Sequence, residues 1–269
     1  MSSRWCWLYM ALAGLVWVAP AAAQYRSIKG LPIARPEDVQ NVESAPPPAG
    51  AVVLFDGTGL DNWTKRDSKD KPGWKLLPGG IGEAHGGDIM TKQEFGGHFK
   101  LHVEFRVPYM PNAKGQARGN SGVYVQGRYE VQVLDSYGLK SRDNDCGAIY
   151  EVAAPLVNAC KAPTIWQSYD IDFQSPKCEK GKQVAPPVVT VHQNGILIQD
   201  HTKIPKTNTR AGRGGDPCKP GPIMLQDHGN PVQYRNIWIQ PLKDDKAGEK
   251  AGDKTGEKPA KADAGKGGK

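Results

Sequence analysis

Helical periodicity is scarce in this chain. Few windows longer than about ten residues space apolar side chains three and four apart, so strands must supply the core and helical architectures are excluded. Long apolar runs are as rare. Only Trp5 to Val18 is apolar without interruption, and it is followed by Pro20. It falls short of the about 20 residues that cross a bilayer. With Arg4 before it and Ala21-Ala22-Ala23 after it, residues 1–23 read as a secretory signal peptide cut before Gln24. The expectation is no membrane span and an exported protein, periplasmic or secreted.

Cysteine is sparse too, with 5 in the chain, and no two are spaced C-x-x-C. That argues against a local zinc site. Cys6 falls in the leader, which leaves Cys146, Cys160, Cys178 and Cys218. An even number in an exported chain suggests two disulfides, and three connectivities are open. The favoured pairing is Cys146–Cys160 with Cys178–Cys218, because each would brace a loop-rich stretch.

Acidic residues are outnumbered, 28 against 35 Lys and Arg, for a net charge of +7. The excess is not concentrated in a folded body. The last stretch contributes +2 and Arg4 +1, leaving +4 for residues 24–242. A nucleic-acid partner is therefore not expected. Residues 243–269 repeat KAGE, KAGD and KTGE and hold no aromatic or branched aliphatic side chain. Such a segment buries too little apolar surface to offset its ordering entropy, so it reads as a disordered Lys-rich tail. Residues 24–50 end in Pro46-Pro47-Pro48-Ala49-Gly50 and read as a linker or extended arm. The folded body is then residues 51–242, one domain by length.

What the body has in quantity is alternation. Leu101, Val103, Phe105 and Val107 share one face of a strand, with His102, Glu104 and Arg106 on the other. Tyr169, Ile171 and Phe173 alternate with Asp170 and Asp172. Asn194-Gly195 between two apolar runs spells a hairpin with a type I′ turn. With 32 Gly and 22 Pro to supply turns, about ten to twelve strands predict an all-β, antiparallel two-sheet jelly-roll sandwich.

The segment GRYEVQVLDSYG, residues 127–138, carries the polar groups of most interest. On a strand Glu130 and Gln132 face one way while Tyr129, Val131 and Val133 face the core. Asp135 is out of phase unless a bulge shifts the register. With that bulge, three polar groups line one wall, and paired carboxyls suit acid and base work on sugars. The alternative is an edge strand with a solvated polar face.

A resemblance joins these pieces. Leu54-Phe55-Asp56-Gly57 with Leu60 and Trp63, FKLHVEFR from Phe99, NSGVY from Asn120 and GRYEVQVLDSYG are similar to the 3-keto-disaccharide hydrolase family. So, in order, are Gly147-Ala148-Ile149-Tyr150, Trp166-Gln167, Asn194-Gly195, GPIMLQDHG from Gly221 and the run Arg235 to Ile239. The likeness covers about residues 52–242. It implies a concanavalin A-like lectin/glucanase sandwich and action on sugars whose 3-hydroxyl is oxidised to a ketone.

Such a ketone acidifies the C2 proton, so the site needs a base near C2, a stabiliser for the enolate oxygen and an acid for the leaving oxygen. Glu130 is the first candidate for base or acid, with Asp135 as its partner. His228 in Gln226-Asp227-His228-Gly229 is the other, since imidazole titrates nearest neutrality; the alternative is a buried, hydrogen-bonded histidine. Arg106 and Glu104, on one polar strand face, are candidates to hold an enolate or a pair of hydroxyls, the alternative being an ion pair in the neighbourhood of Glu104. Tyr124, Tyr150 and Trp166 offer a stacking floor, with core packing the alternative for Trp166, and Gln132 and Gln226 offer amides for a sugar ligand. Glu104, Glu130, Asp135 and His228 also form an oxygen and nitrogen set for a divalent ion, although no spacing requires one. The expected function is cleavage of 3-keto-glycosides by hydrolysis or by elimination and hydration. A non-catalytic carbohydrate-binding module of the same fold is the rival.

Overall fold

The structure is a computed structural model that describes residues 24, 25 and 27–242. The leader, Cys6 and the Lys-rich tail lie outside the described residues. Among those described there are fifteen strands, more than alternation predicts, because several have only three or four residues. In chain order they are β1 (Val52–Phe55), β2 (Trp63–Lys65), β3 (Lys75–Leu77), β4 (Ile81–Glu83), β5 (Ile89–Phe95), β6 (His98–Arg106), β7 (Ser121–Val125) and β8 (Tyr129–Val133). They continue as β9 (Gln167–Gln174), β10 (Lys177–Glu179), β11 (Lys182–Ala185), β12 (Val188–Gln193), β13 (Ile196–Lys203), β14 (Gly221–Leu225) and β15 (Gln233–Pro241).

Two antiparallel sheets form a sandwich. The larger, eight-stranded sheet runs β13-β12-β9-β6-β15-β4-β3, with β1 also on β15; the smaller runs β2-β5-β14-β7-β8. Strands β10 and β11 make a separate hairpin. The period of two puts Leu101, Val103, Phe105, Tyr169, Ile171 and Phe173 inward from the large sheet, all fully buried. Val123, Val125, Tyr129, Val131, Val133, Ile223 and Leu225 meet them from the small one. Tyr129 and Phe173, one from each sheet, stack with centroids 5.7 Å apart. Each such side chain contributes about 1.5–3 kcal/mol by leaving water. Asn194 and Gly195, at φ 55° and 78°, make the type I′ turn between β12 and β13.

The arm of residues 27–50 is ordered against the body. It crosses the outer face of the large sheet, where alternation alone predicts solvent. Ala45 O accepts from Trp238 Nε1 at 3.1 Å and Asn236 Nδ2 at 2.7 Å. Val42 N donates to Trp166 O at 3.1 Å, and Ser44 Oγ donates to Glu104. Beneath it Glu104 is wholly buried and accepts from Arg235 Nε at 2.6 Å. Burial pushes its carboxyl up, but hydrogen bonds from His102, Ser44, Asn236 and Arg235 outweigh that and hold it down at about 2.

Cys178 and Cys218 form the expected disulfide, Cα atoms 5.8 Å apart, tying the β10–β11 hairpin to the loop before β14. The pairing Cys146–Cys160 is corrected: both are free, buried thiols. They lie side by side in hydrogen-bond contact. Tyr169 Oη sits 3.1 Å from the Cys146 sulfur, and Gln193 Nε2 donates to both sulfurs at 3.6 Å. Each thiol thus packs as a small hydrophobe with a polar partner.

Candidate active site

Strand β8 pairs with β7 in unbroken register, from Ser121 opposite Val133 to Val125 opposite Tyr129. No bulge intervenes. Glu130 and Gln132 therefore share the outer face of the small sheet, as alternation requires. The far edge of β8 is covered as well. Gln132 N donates to Ala148 O at 3.0 Å, Gly147 N to Gln132 O at 2.9 Å and Tyr150 N to Glu130 O at 3.2 Å. Glu130 N donates to Thr209 Oγ1 at 3.1 Å. These edge contacts satisfy the backbone and bring Tyr150 and Arg210 to the rim of a pocket of about 300 Å³. Ligand pockets run from about 300 to 1,000 Å³.

Glu130 forms the floor. Its carboxyl lies over Gly122, where an added Cβ would stand 2.5 Å from Oε1 and 2.8 Å from a Tyr124 ring carbon. Gly122 makes room for the candidate acid itself. The Tyr124 hydroxyl hydrogen-bonds Glu130 and accepts from Gln226 Nε2 at 3.0 Å. Burial pushes the Glu130 carboxyl up, the Tyr124 hydrogen bond pulls it back, and the charges of Asp88 and Glu151 add to the rise, leaving it at about 8. Its environment thus favours the protonated acid. Tyr124, fully buried, backs Glu130 instead of serving as a stacking surface.

Neutral amides fill the rest of the floor. Gln132 Oε1 accepts from Val133 N at 3.0 Å, and its Nε2 donates to Gln116 Oε1 at 3.0 Å. Asn120 Nδ2 donates to Gln116 O at 2.7 Å, while its Oδ1 is buried without a partner. His228 is exposed at the rim, on a loop held by Asp227, which accepts from Gly87 N and Gly229 N at 2.9 Å each.

Four predicted residues are not brought here. Asp135 lies beyond the end of β8, its carboxyl 3.4 Å from Arg118 Nε and accepting from Tyr137 N at 3.3 Å. Burial pushes it up, against the pull of Arg118. Glu104, Arg106 and Trp166 belong to the opposite side of the molecule. The guanidinium groups of Arg106 and Arg235 pack on Trp166, 4.7 and 4.3 Å from its ring centroid. Arg106 Nε donates to Gln233 Oε1 at 2.7 Å. Of the four candidate metal ligands, Glu130 and His228 line the pocket and Glu104 and Asp135 do not. Among the described residues no three His, Cys, Asp or Glu side chains converge as a ligand set. Sequence reasoning misses Gln116 and Arg210, which come from turn-rich connections without periodicity, and meets Asn120 only as the start of the NSGVY motif.

An antiparallel two-sheet sandwich with a buried acid in a polar pocket on one outer face is the architecture of concanavalin A-like carbohydrate-active domains. The chain belongs to the 3-keto-alpha-glucoside-1,2-lyase-like domain family, which it matches over residues 50–240. It is similar to a protein of Parabacteroides distasonis ATCC 8503 provisionally named a glycosyl hydrolase: 35% identity, 79% of this chain and 100% of that one covered, TM-score 0.65. A second protein of that organism with the same provisional name shares the fold at 19% identity, covering 72% of this chain and 94% of its own, TM-score 0.53. No curated protein matches the chain.

Proposed function

We propose that this protein is an exported enzyme that cleaves 3-keto-glycosides by elimination and hydration, with Glu130 as general acid and His228 as general base. The observation that carries this reading is the buried Glu130 carboxyl, hydrogen-bonded to Tyr124, on the floor of a pocket that His228 also lines. In the elimination, His228 takes the C2 proton and the C2–H pair becomes the C2=C3 bond while the carbonyl pair moves onto oxygen. That pair then returns, the C1–C2 double bond forms, and the C1–O bond breaks. Glu130 gives its proton to the departing oxygen. Water next adds its oxygen to C1 and a proton to C2, which completes net hydrolysis. Family membership supports the substrate class, and the Cys178–Cys218 disulfide suits an oxidising compartment outside the cytosol.

The test is aglycone release from a 3-keto-glucoside, followed together with C2-proton exchange in deuterated buffer. Glu130→Gln is expected to cut release at least about 100-fold while C2 exchange continues. His228→Asn is expected to lose both. Tight glycan binding by the wild type without exchange or release would mark the domain as a binding module and end the enzymatic reading.

A further inference from the structure

We infer that Arg210 is the group that stabilises the enolate oxygen, an assignment that rests on the reaction proposed above. The reaction needs positive charge or free donors at the C3 oxygen when the C2 proton departs. Part of the floor's donor capacity is already engaged within the protein: the Gln132 amide donates to Gln116 Oε1 and Asn144 O, and one N–H of Gln226 serves Tyr124. Glu130 and His228 carry the proton transfers. Among the described residues lining the pocket, Arg210 holds the one guanidinium. Arg106, the sequence-based candidate for this role, is on the other sheet.

Arg210 stands on backbone built against the acid's own strand. Buried Thr209 donates from N and from Oγ1 to Arg128 O, each at 2.9 Å, and accepts the Glu130 amide at 3.1 Å. Arg213 N donates to Gly127 O at 2.8 Å. A Cβ on Gly212 would collide with the Arg128 carbonyl, so the loop runs hard against the strand edge. Nη1 donates to Glu151 Oε1 at 3.0 Å. No other side-chain hydrogen bond of Arg210 is present among the described residues, so donors of its five remain for a ligand. The pair is solvent-exposed, 73% and 38% for the two side chains, and such pairs contribute about 0–1 kcal/mol. Glu151 therefore orients the guanidinium at the pocket mouth and releases it at small cost.

The experiment measures C2 exchange and aglycone release, with kcat and KM, on a 3-keto-glucoside. Arg210→Ala is expected to lower kcat for both signals about 100-fold or more, with little change in KM, because the donor acts on charge that develops in the transition state. Arg210→Lys should recover part of the loss, and added guanidinium should recover part of it in Arg210→Ala. An Arg210→Ala enzyme with unchanged kcat, or a loss confined to KM, overturns the assignment and leaves the proposed reaction standing. A wild type that neither exchanges nor releases overturns both together.

Discussion

At the scale of single residues, Glu130 sets the pH behaviour. Its folded-state value, about 8, lies above its ordinary 4.5. The stability that protonation gives is present in full below about 4.5 and is lost as pH rises through about 8. Thermal melts should show Glu130→Gln gaining on the wild type as pH rises from about 4.5 to about 8 and keeping that gain above it, and a difference that does not change over this range would refute the buried acid. Turnover, which uses the protonated form, should fall over the same rise. Gly122→Ala tests the packing beneath: its methyl must displace the carboxyl or the Tyr124 ring. Destabilisation of about 1–3 kcal/mol, with loss of the alkaline limb near pH 8, is expected from chemical melts and a pH–rate profile. Strand alternation makes the outward facing of Glu130 and Gln132 legible, and the motif series makes the family legible. The bond from Tyr124 and the donors on Arg210 are not legible, since they depend on how separate segments meet.

At the scale of elements, one pattern has two outcomes. Strands β6 and β8 both alternate polar and apolar side chains, yet the outer face of β8 opens on a pocket and that of β6 is roofed by the arm. Periodicity reports that a face points away from the core and is silent about what covers it. This is why Glu104, Arg106 and Trp166 read as ligand-binding residues and prove to be arm-binding ones. The Asp135 expectation fails for a related reason: the register of β7 with β8 is continuous, so no extra residue swings it onto the Glu130 side. Glu104→Gln removes the buried partner of Arg235 and His102, and a loss of about 3 kcal/mol is expected in denaturant titration. Because the Glu104 carboxyl is held down at about 2, its contribution is present above about 4.5 and is lost as pH falls through about 2. The variant should therefore show a flatter acid limb than the wild type.

At the scale of the whole molecule, one covalent tie among the described residues joins segments 40 residues apart. Reducing it should lower stability by about 2–4 kcal/mol, seen as a lower melting temperature with reductant. Alkylation of the denatured, unreduced protein should label Cys146 and Cys160 and leave Cys178 and Cys218 unlabelled; the reverse pattern would contradict the buried thiol pair. The seating of the first described residues also bears on handling. The Tyr25 hydroxyl donates to Pro231 O at 2.7 Å, and Gln24 O accepts from Tyr109 N at 3.0 Å. An affinity handle fused just ahead of Gln24 would press on the loop that follows His228, so immobilisation or labelling for turnover assays belongs at the opposite terminus.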